Sequence, residues 1–380
     1  MTVAALPAEA VVDLGAIRDN VRALRSAAPS SQLLAVVKAD GYGHGMLPVA
    51  RAALAGGADW LGVAFLTEAL ALRAAGISAP LLAWLVGPAE PIAPAVAAGV
   101  DIGVNAGWGL EGAVDAARQT GTEARVHLKV DTGLSRGGAT AEDWPDLVAR
   151  AAKAAADGSV RVVGIWSHFA YADAPGHPTV AGQLAAYRDA LEIAERAGVR
   201  PEIRHLANSA ATLTSPDAHF DLVRPGLAVY GLSPVPAVGA PERFGLRPAM
   251  TLTSTVALSK SVPAGSGVSY GHRYITDRRT RLALVPLGYA DGVPRNATNT
   301  GEVLVGGHRR RISGTVCMDQ FVVDVGDDEV DAGDEVLLFG PGERGEPTAQ
   351  DWADATGTIS YEIVTRIGAR VPRRYVGLPE

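Results

Sequence analysis

A single cysteine, Cys317, in 380 residues leaves no pair for an internal disulfide and no cysteine cluster for a zinc site, as expected in a reducing compartment. Basic runs are equally scarce. The net charge is −7 and only residues 309–311 form a cationic run, so the electrostatic footprint of a nucleic-acid binder is missing. The N-terminus carries Glu9 and Asp13 before its first arginine, Arg18, and so lacks the basic segment of a secretory signal. The most apolar stretch, 76–104, is interrupted by Pro80, Pro88, Pro91 and Pro94, which excludes it as a membrane span. The 8 histidines show no HExxH or comparable spacing, so no metal site is expected. What is present, 48% hydrophobic residues with 44 Gly and only 6% aromatics, reads as globular and Ala/Gly-rich. The expectation is a cytoplasmic protein of two domains that binds neither nucleic acid nor membrane.

Two halves differ in grammar. Up to about residue 230, short apolar runs alternate with Ala-rich segments carrying charges at helical spacing, the pattern of repeated α/β units around a parallel sheet. The runs fall at 33–37, 61–65, 81–86, 100–104, 124–130, 160–166, 203–207 and 222–224, with helix candidates such as 180–197 between them. Eight such runs predict a (β/α)₈ barrel over residues 1–240. The stretch 231–248, rich in Pro and Gly, is a natural connector. Beyond it, strand-like runs separated by Gly, Pro and Asp, among them 362–371, predict a mostly-β domain over 241–380.

Polar residues collect where barrel strands end: Lys38 after the first run, Lys129 and Asp131 after the fifth, His168 after the sixth, Asn208 and Ser209 after the seventh, Arg224 at the eighth. The C-terminal face of such barrels carries active sites, so the set predicts a polar, partly cationic catalytic pocket. Lys38 leaves an apolar strand for a loop with glycines at 41, 43 and 45. Burial beside other cations would supply the neutral amine a Schiff base requires, whereas a lysine lying along the surface would need no such task. A competing signal is Gly107-x-Gly109-x-x-Gly112 ahead of Asp131, the spacing of a dinucleotide fingerprint, but eight α/β units followed by a β domain do not fit a doubly wound fold.

At VVKADGYGHG (36–45) the sequence resembles the alanine racemases. The likeness continues in order through HLKVDTGLSRGG (127–138), WSHFAYAD (166–173), HLANSAA (205–211), LVRPGLAVYG (222–231), GVSYGHRY (267–274), PLGYADGVPR (286–295), GTVCMDQ (314–320) and ISYEIVTRI (359–367). One local difference is Asp40-Gly41, where many members carry Asn-Ala before the tyrosine. The resemblance implies a pyridoxal 5'-phosphate enzyme, a (β/α)₈ barrel with a C-terminal β domain acting as a homodimer with shared active sites, that interconverts L- and D-alanine and supplies D-alanine for peptidoglycan. It implies that Lys38 holds the cofactor and serves one face of the substrate, and that Tyr270, reaching in from the partner subunit, serves the other. Arg136 would stabilise the Tyr270 phenolate, because a phenol near pKa 10 is a poor base at neutral pH. Lys129 resembles a carbamylated lysine orienting Arg136. Arg224 resembles the arginine facing the pyridine nitrogen, supported by His168 and His205. Standing alone, each histidine would read as a core residue satisfied by the backbone. The phosphate would be held by Tyr42, Ser209, Tyr361 and the amides around Gly226 and Leu227. Met318 of the partner would contact the substrate carboxylate, Tyr289 would line the entrance, and Cys317 would only pack.

Broader action on small amino acids such as serine is the main alternative, since a methyl and a hydroxymethyl group differ modestly in binding energy. A decarboxylase with the same two domains is disfavoured by the GVSYGHRY and CMDQ segments, and a non-catalytic pyridoxal-phosphate carrier by the presence of Tyr270 and Met318 in a second domain.

Overall fold

In the computed structural model, which describes residues 8–377, the apolar runs of the first half become one parallel sheet. After strand β1 (Ala8–Asp13) come β2 (Gln32–Val36), β3 (Trp60–Val63), β4 (Leu81–Ala83), β5 (Asp101–Val104), β6 (Ala124–Lys129), β7 (Val160–Trp166), β8 (Ile203–His205) and β9 (Leu222–Val223). Neighbours pair in sequence from β2 to β8, and β9 returns to pair with β2. The ring closes between β8 and β9 where Asp221 N donates to Arg204 O at 3.0 Å and Arg224 N to Ala207 O at 2.9 Å. Strands β3, β4 and β5 are buried at every position, which is why they read as continuous apolar runs rather than alternating ones. Helices connect the strands. The one expected at 180–197 spans Pro178–Arg196, with Pro178 at its start, where a missing N–H costs nothing, and the His177 ring accepting from Thr179 N.

Strand β1 does not join the barrel predicted for 1–240. It pairs antiparallel with Met250–Thr255 and in parallel with Arg373–Val376, inside a six-stranded sheet of the second unit. The reason is legible in hindsight. Ala8, Ala10 and Val12 are buried while Glu9, Val11 and Asp13 are half-buried, the alternation of a strand with one wet face. Tyr42–Gly45 also belongs to this unit, with everything described from Arg247 onward, whereas Ile17–Gly41 and Met46–Leu246 form the barrel unit.

The second unit adds a three-stranded sheet of Leu258–Val262, Thr280–Val285 and Phe321–Gly326. Part of the run read as strand at 362–371 is instead the end of a helix, Ser360–Thr365. Its buried residues Ser360, Ile363 and Val364 are three and four apart, a helical spacing that the apolar content of the run concealed. Among the described residues no helix is long and apolar enough to cross a membrane.

Candidate active site

The lysine loop departs from ordinary backbone geometry. Ala39, Asp40, Gly41, Tyr42 and Gly43 have φ of 53, 51, 60, 51 and 79°, a left-handed turn that non-glycine residues adopt only under constraint. Three bonds impose it within the barrel unit: Gly41 N donates to Val37 O at 2.9 Å, Ala39 N to a Glu68 carboxylate oxygen at 2.7 Å, and Met46 N to the Asp40 carboxylate at 2.8 Å. Lys38, at the head of this turn, is half-buried. Burial and the nearby Arg136 push its pKa below the usual lysine value, against the opposing charge of Glu68.

Lys129, the last residue of β6, is buried, with its ammonium 4.6 Å from the centre of the Trp166 ring. Burial, then Arg136 and Arg224, pushes its pKa down to about 8. Arg136 is presented by a loop knotted around Asp131, whose carboxylate accepts from the amides of Gly133, Leu134 and Ser135, while Ala139 N returns to Lys129 O at 2.9 Å.

Arg224 follows β9 and is 5% exposed. Its Nη1 donates to His205 Nδ1 at 3.1 Å. Its Nη2 donates to Ser167 O at 2.8 Å and reaches His168 Nδ1 and Leu206 O, each at 3.3 Å. Its Nε–H meets no acceptor among the described residues. Burial pushes its pKa down to about 10, so it remains a cation at neutral pH. Both histidines are driven well below the ordinary imidazole range, by burial first and by Arg224 next, so they face the guanidinium as neutral acceptors. Ser209 opens a helix capped by the Asn208 side chain, and its Oγ accepts from Gly226 N at 2.7 Å and Ala228 N at 3.4 Å, which joins the serine to the Gly226–Leu227 turn.

The barrel unit thus gathers Lys38, Lys129, Arg136, His168, His205, Ser209, Arg224, Gly226 and Leu227 at its C-terminal face. Two members carried no role in the sequence reading. Trp166 stacks on His205 with rings 3° from parallel and 5.7 Å apart and lies 5.0 Å from the Arg224 guanidinium, while Trp84 lies 5.8 Å from the Lys38 ammonium. Aromatics at the ends of two barrel runs were the available signal: a π face attracts cations that no carboxylate neutralises. Two glycines of the apparent dinucleotide fingerprint lie close against neighbouring side chains. A side chain at Gly107 would meet Arg150 Nη1 at 2.3 Å, and one at Gly112 would meet Ile92 at 2.9 Å.

The remaining predicted residues lie in the second unit, in two groups. Tyr42 and Tyr361 have ring centres 6.2 Å apart, and burial, then Tyr361, raises the Tyr42 pKa and keeps its phenol a neutral donor. Tyr270, Tyr289 and Met318 line one cavity of about 600 Å³ with Cys317. Thr315 Oγ1 donates to Tyr270 O at 2.7 Å, and Tyr289 N and Ala290 N donate to the carbonyls of Cys317 and Met318, each at 3.0 Å. Gly288 is required here, since a Cβ would fall 2.2 Å from Met318 O. Arg370 clamps the two turns by donating to Asp291 and Asp319, each at 2.8 Å.

A (β/α)₈ barrel with a desolvated lysine and a buried arginine at the C-terminal ends of its strands, followed by a mostly-β unit, has the layout of an enzyme of the barrel class. The comparisons with known proteins are specific. The family model "Alanine racemase, N-terminal domain" matches residues 12–234 and "Alanine racemase, C-terminal domain" matches 249–375. An alanine racemase of Frankia casuarinae is 68% identical over 367 residues, 97% of this chain and 96% of that protein. The solved alanine racemase of D-cycloserine-producing Streptomyces lavendulae superposes with a TM-score of 0.98 at 57% identity, covering 99% of each chain. That of Bacillus anthracis, solved with bound L-Ala-P, gives 0.88 at 35% identity over 99% of this chain and 97% of its own. The chain belongs to the alanine racemase family, a family of isomerases.

Proposed function

We propose that the protein interconverts L- and D-alanine with pyridoxal 5'-phosphate bound at the barrel mouth, in a homodimer whose subunits complete each other's sites, and that it supplies D-alanine for peptidoglycan in the cytoplasm. The observation that carries this reading is the Lys38 amine, desolvated at the mouth of a barrel in this family and beside further cations. The donor set fits such a cofactor. Arg224 has both Nη groups engaged by His205, Ser167, His168 and Leu206, which leaves its Nε–H to meet a ring nitrogen. The Ser209 hydroxyl, which accepts from Gly226 N, still has its own proton to donate to a phosphate at the Gly226–Leu227 turn, and the family resemblance assigns Tyr42 and Tyr361 to the same role. When bound, the cofactor supplies an electron sink that makes the α-proton of an amino acid removable.

The chain's residues then divide the work. Lys38 Nζ anchors the cofactor and moves a proton at one face of the substrate Cα, and Tyr270 Oη of the partner subunit moves one at the other. Removal by one group and delivery by the other inverts the centre. Arg136 holds the phenolic oxygen of Tyr270 as an anion. Lys129, whose depressed pKa leaves a fraction of neutral amine at pH 7, takes up carbon dioxide with loss of a proton, and the resulting carbamate provides the anion that orients Arg136. Arg224, charged at neutral pH, keeps a proton off the ring nitrogen, which weakens the sink and suppresses return of the proton to the wrong carbon. The Met318 backbone amide binds the substrate carboxylate and Tyr289 lines the way in. A chiral assay of the purified protein with L-alanine tests the reading: D-alanine should accumulate to an equal mixture, and unchanged L-alanine in the presence of pyridoxal 5'-phosphate would overturn it.

A further inference from the structure

Arg224 is one end of a buried chain of side chains that runs through the barrel interior. From Arg224 Nη1 the chain passes to His205 Nδ1 at 3.1 Å, from His205 Nε2 to His127 Nδ1 at 2.8 Å, and from His127 Nε2 to Asp101 Oδ2 at 3.1 Å. Arg125 closes it by donating to both Asp101 oxygens, at 2.7 and 3.1 Å. Asp101 opens β5 and Arg224 follows β9, so the chain links the N-terminal edge of the sheet to the mouth. Asp101 is 1% exposed, and His127 and His205 are 0% exposed.

The two ends dictate every hydrogen position between them. Arginine can only donate, so His205 Nδ1 accepts. A neutral imidazole has one donor and one acceptor, so His205 Nε2–H donates to His127 Nδ1, and His127 Nε2–H donates to Asp101. The carboxylate can only accept. Burial raises the pKa of Asp101, but the bonds from His127 and Arg125 outweigh it and hold the group below its ordinary value. We propose that Asp101 and His127 are positioning residues for Arg224: the carboxylate fixes both imidazole tautomers so that His205 presents a lone pair, and not an N–H, to the guanidinium. Reversed polarity would set an Nδ1–H against the Arg224 Nη1–H, two donors with nothing to accept between them, and the arginine would lose its hold.

The seat of His127 is built for the ring. A Cβ on Gly164 of β7 would fall 2.1 Å from His127 Nδ1, so the imidazole occupies the volume of the side chain that Gly164 lacks. The β6–β7 register shifts between Val126 and His127, beside this seat. Trp166, parallel to the His205 ring, prevents His205 from rotating away from this alignment.

The proposal rests on Arg224 serving the cofactor, but its first test does not. Ring ¹⁵N NMR of the histidine-labelled holoenzyme, assigned with His127→Gln and His205→Gln, should show the proton on Nε2, and none on Nδ1, at both residues. An Nδ1–H tautomer or an imidazolium at either position would overturn the relay even in an active racemase. Asp101→Asn supplies the second test. Arg125 retains the amide oxygen, the amide N–H₂ turns to His127, and the His127 signal should move to the Nδ1–H form. Racemisation should fall about 10- to 100-fold in kcat with KM for alanine within about threefold, and transamination per turnover should rise. Wild-type rate and product ratio in Asp101→Asn, or a lost rate with unmoved tautomers, would contradict the positioning role. If Asp101→Asn does not fold, Gly164→Ala, which displaces the His127 ring and removes no titratable group, should produce the same shift in product ratio. Correct tautomers in a protein that does not racemise alanine would sink the proposed function and leave the relay standing.

Discussion

The two units treat their chemical groups in opposite ways. The barrel buries two of its cations and ties them down: Arg224 is 5% exposed and bonded to two histidines and two carbonyls, and Lys129 is 8% exposed against Trp166, while Lys38 is half-buried and Arg136 exposed. The second unit buries Tyr42 but leaves another group bare, with Tyr270 76%, Met318 53% and Tyr289 42% exposed although their backbones are clamped by Thr315, Gly288 and Arg370. Apolar and aromatic side chains held rigidly and left uncovered mark a surface that meets another surface. Under the proposed function, the tyrosine face would be the part of the site that a second copy supplies.

Ways to break this contrast differ in expected size. Lys38→Ala should lower racemisation by more than about 10⁴-fold, since one acid/base group and the anchor are lost together. Borohydride reduction and peptide mapping of the native enzyme should place the pyridoxyl group on Lys38, and label on Lys129, Lys153 or Lys260 would refute the assignment. Tyr270→Phe should cost about 10²- to 10⁴-fold in both directions equally. In deuterated water it should still exchange the α-hydrogen of D-alanine through Lys38 and leave L-alanine largely unlabelled, and rapid loss from both isomers would show one base at work. Ser209→Ala should weaken retention of pyridoxal phosphate about tenfold and lower stability by about 1–3 kcal/mol, because the buried Gly226 N–H loses its acceptor. Fluorescence titration and thermal unfolding would detect either failure.

Acid acts on the same contrast through stability rather than rate. His168 and His205 have folded-state pKa values below the unfolded value of about 6.5, so the unfolded chain takes up protons first as pH falls. Their contribution is present above about pH 6.5 and is lost below it, at about 1.4 kcal/mol per pH unit for each histidine until the folded state also titrates. Urea unfolding between pH 7 and 5 should show this slope reduced in His205→Gln, and equal slopes would contradict it.

Much of the barrel half was legible because strand ends are the one place where a buried apolar run meets polar chemistry, so Lys38, Lys129, His168, Ser209 and Arg224 stood out. Asp101 and His127 did not. They are 26 positions apart and sit inside strands, where one residue's partner is set by barrel closure rather than by spacing. The affiliation of β1 was missed because its alternation is short, and Ser360–Thr365 because six residues seldom separate helix from strand by composition. The separation of Tyr42 from Lys38 into different units could not be read from an unbroken motif, since it follows from the left-handed turn between them.

Subunit exchange tests most directly whether the exposed tyrosine face completes the barrel site of another copy. Lys38→Ala and Tyr270→Ala proteins, each inactive alone, should on mixing form hybrids that hold one intact site of two and recover roughly a quarter of the native activity at random exchange. Absence of recovery, with hybrid dimers demonstrated by mass, would contradict a site shared between subunits.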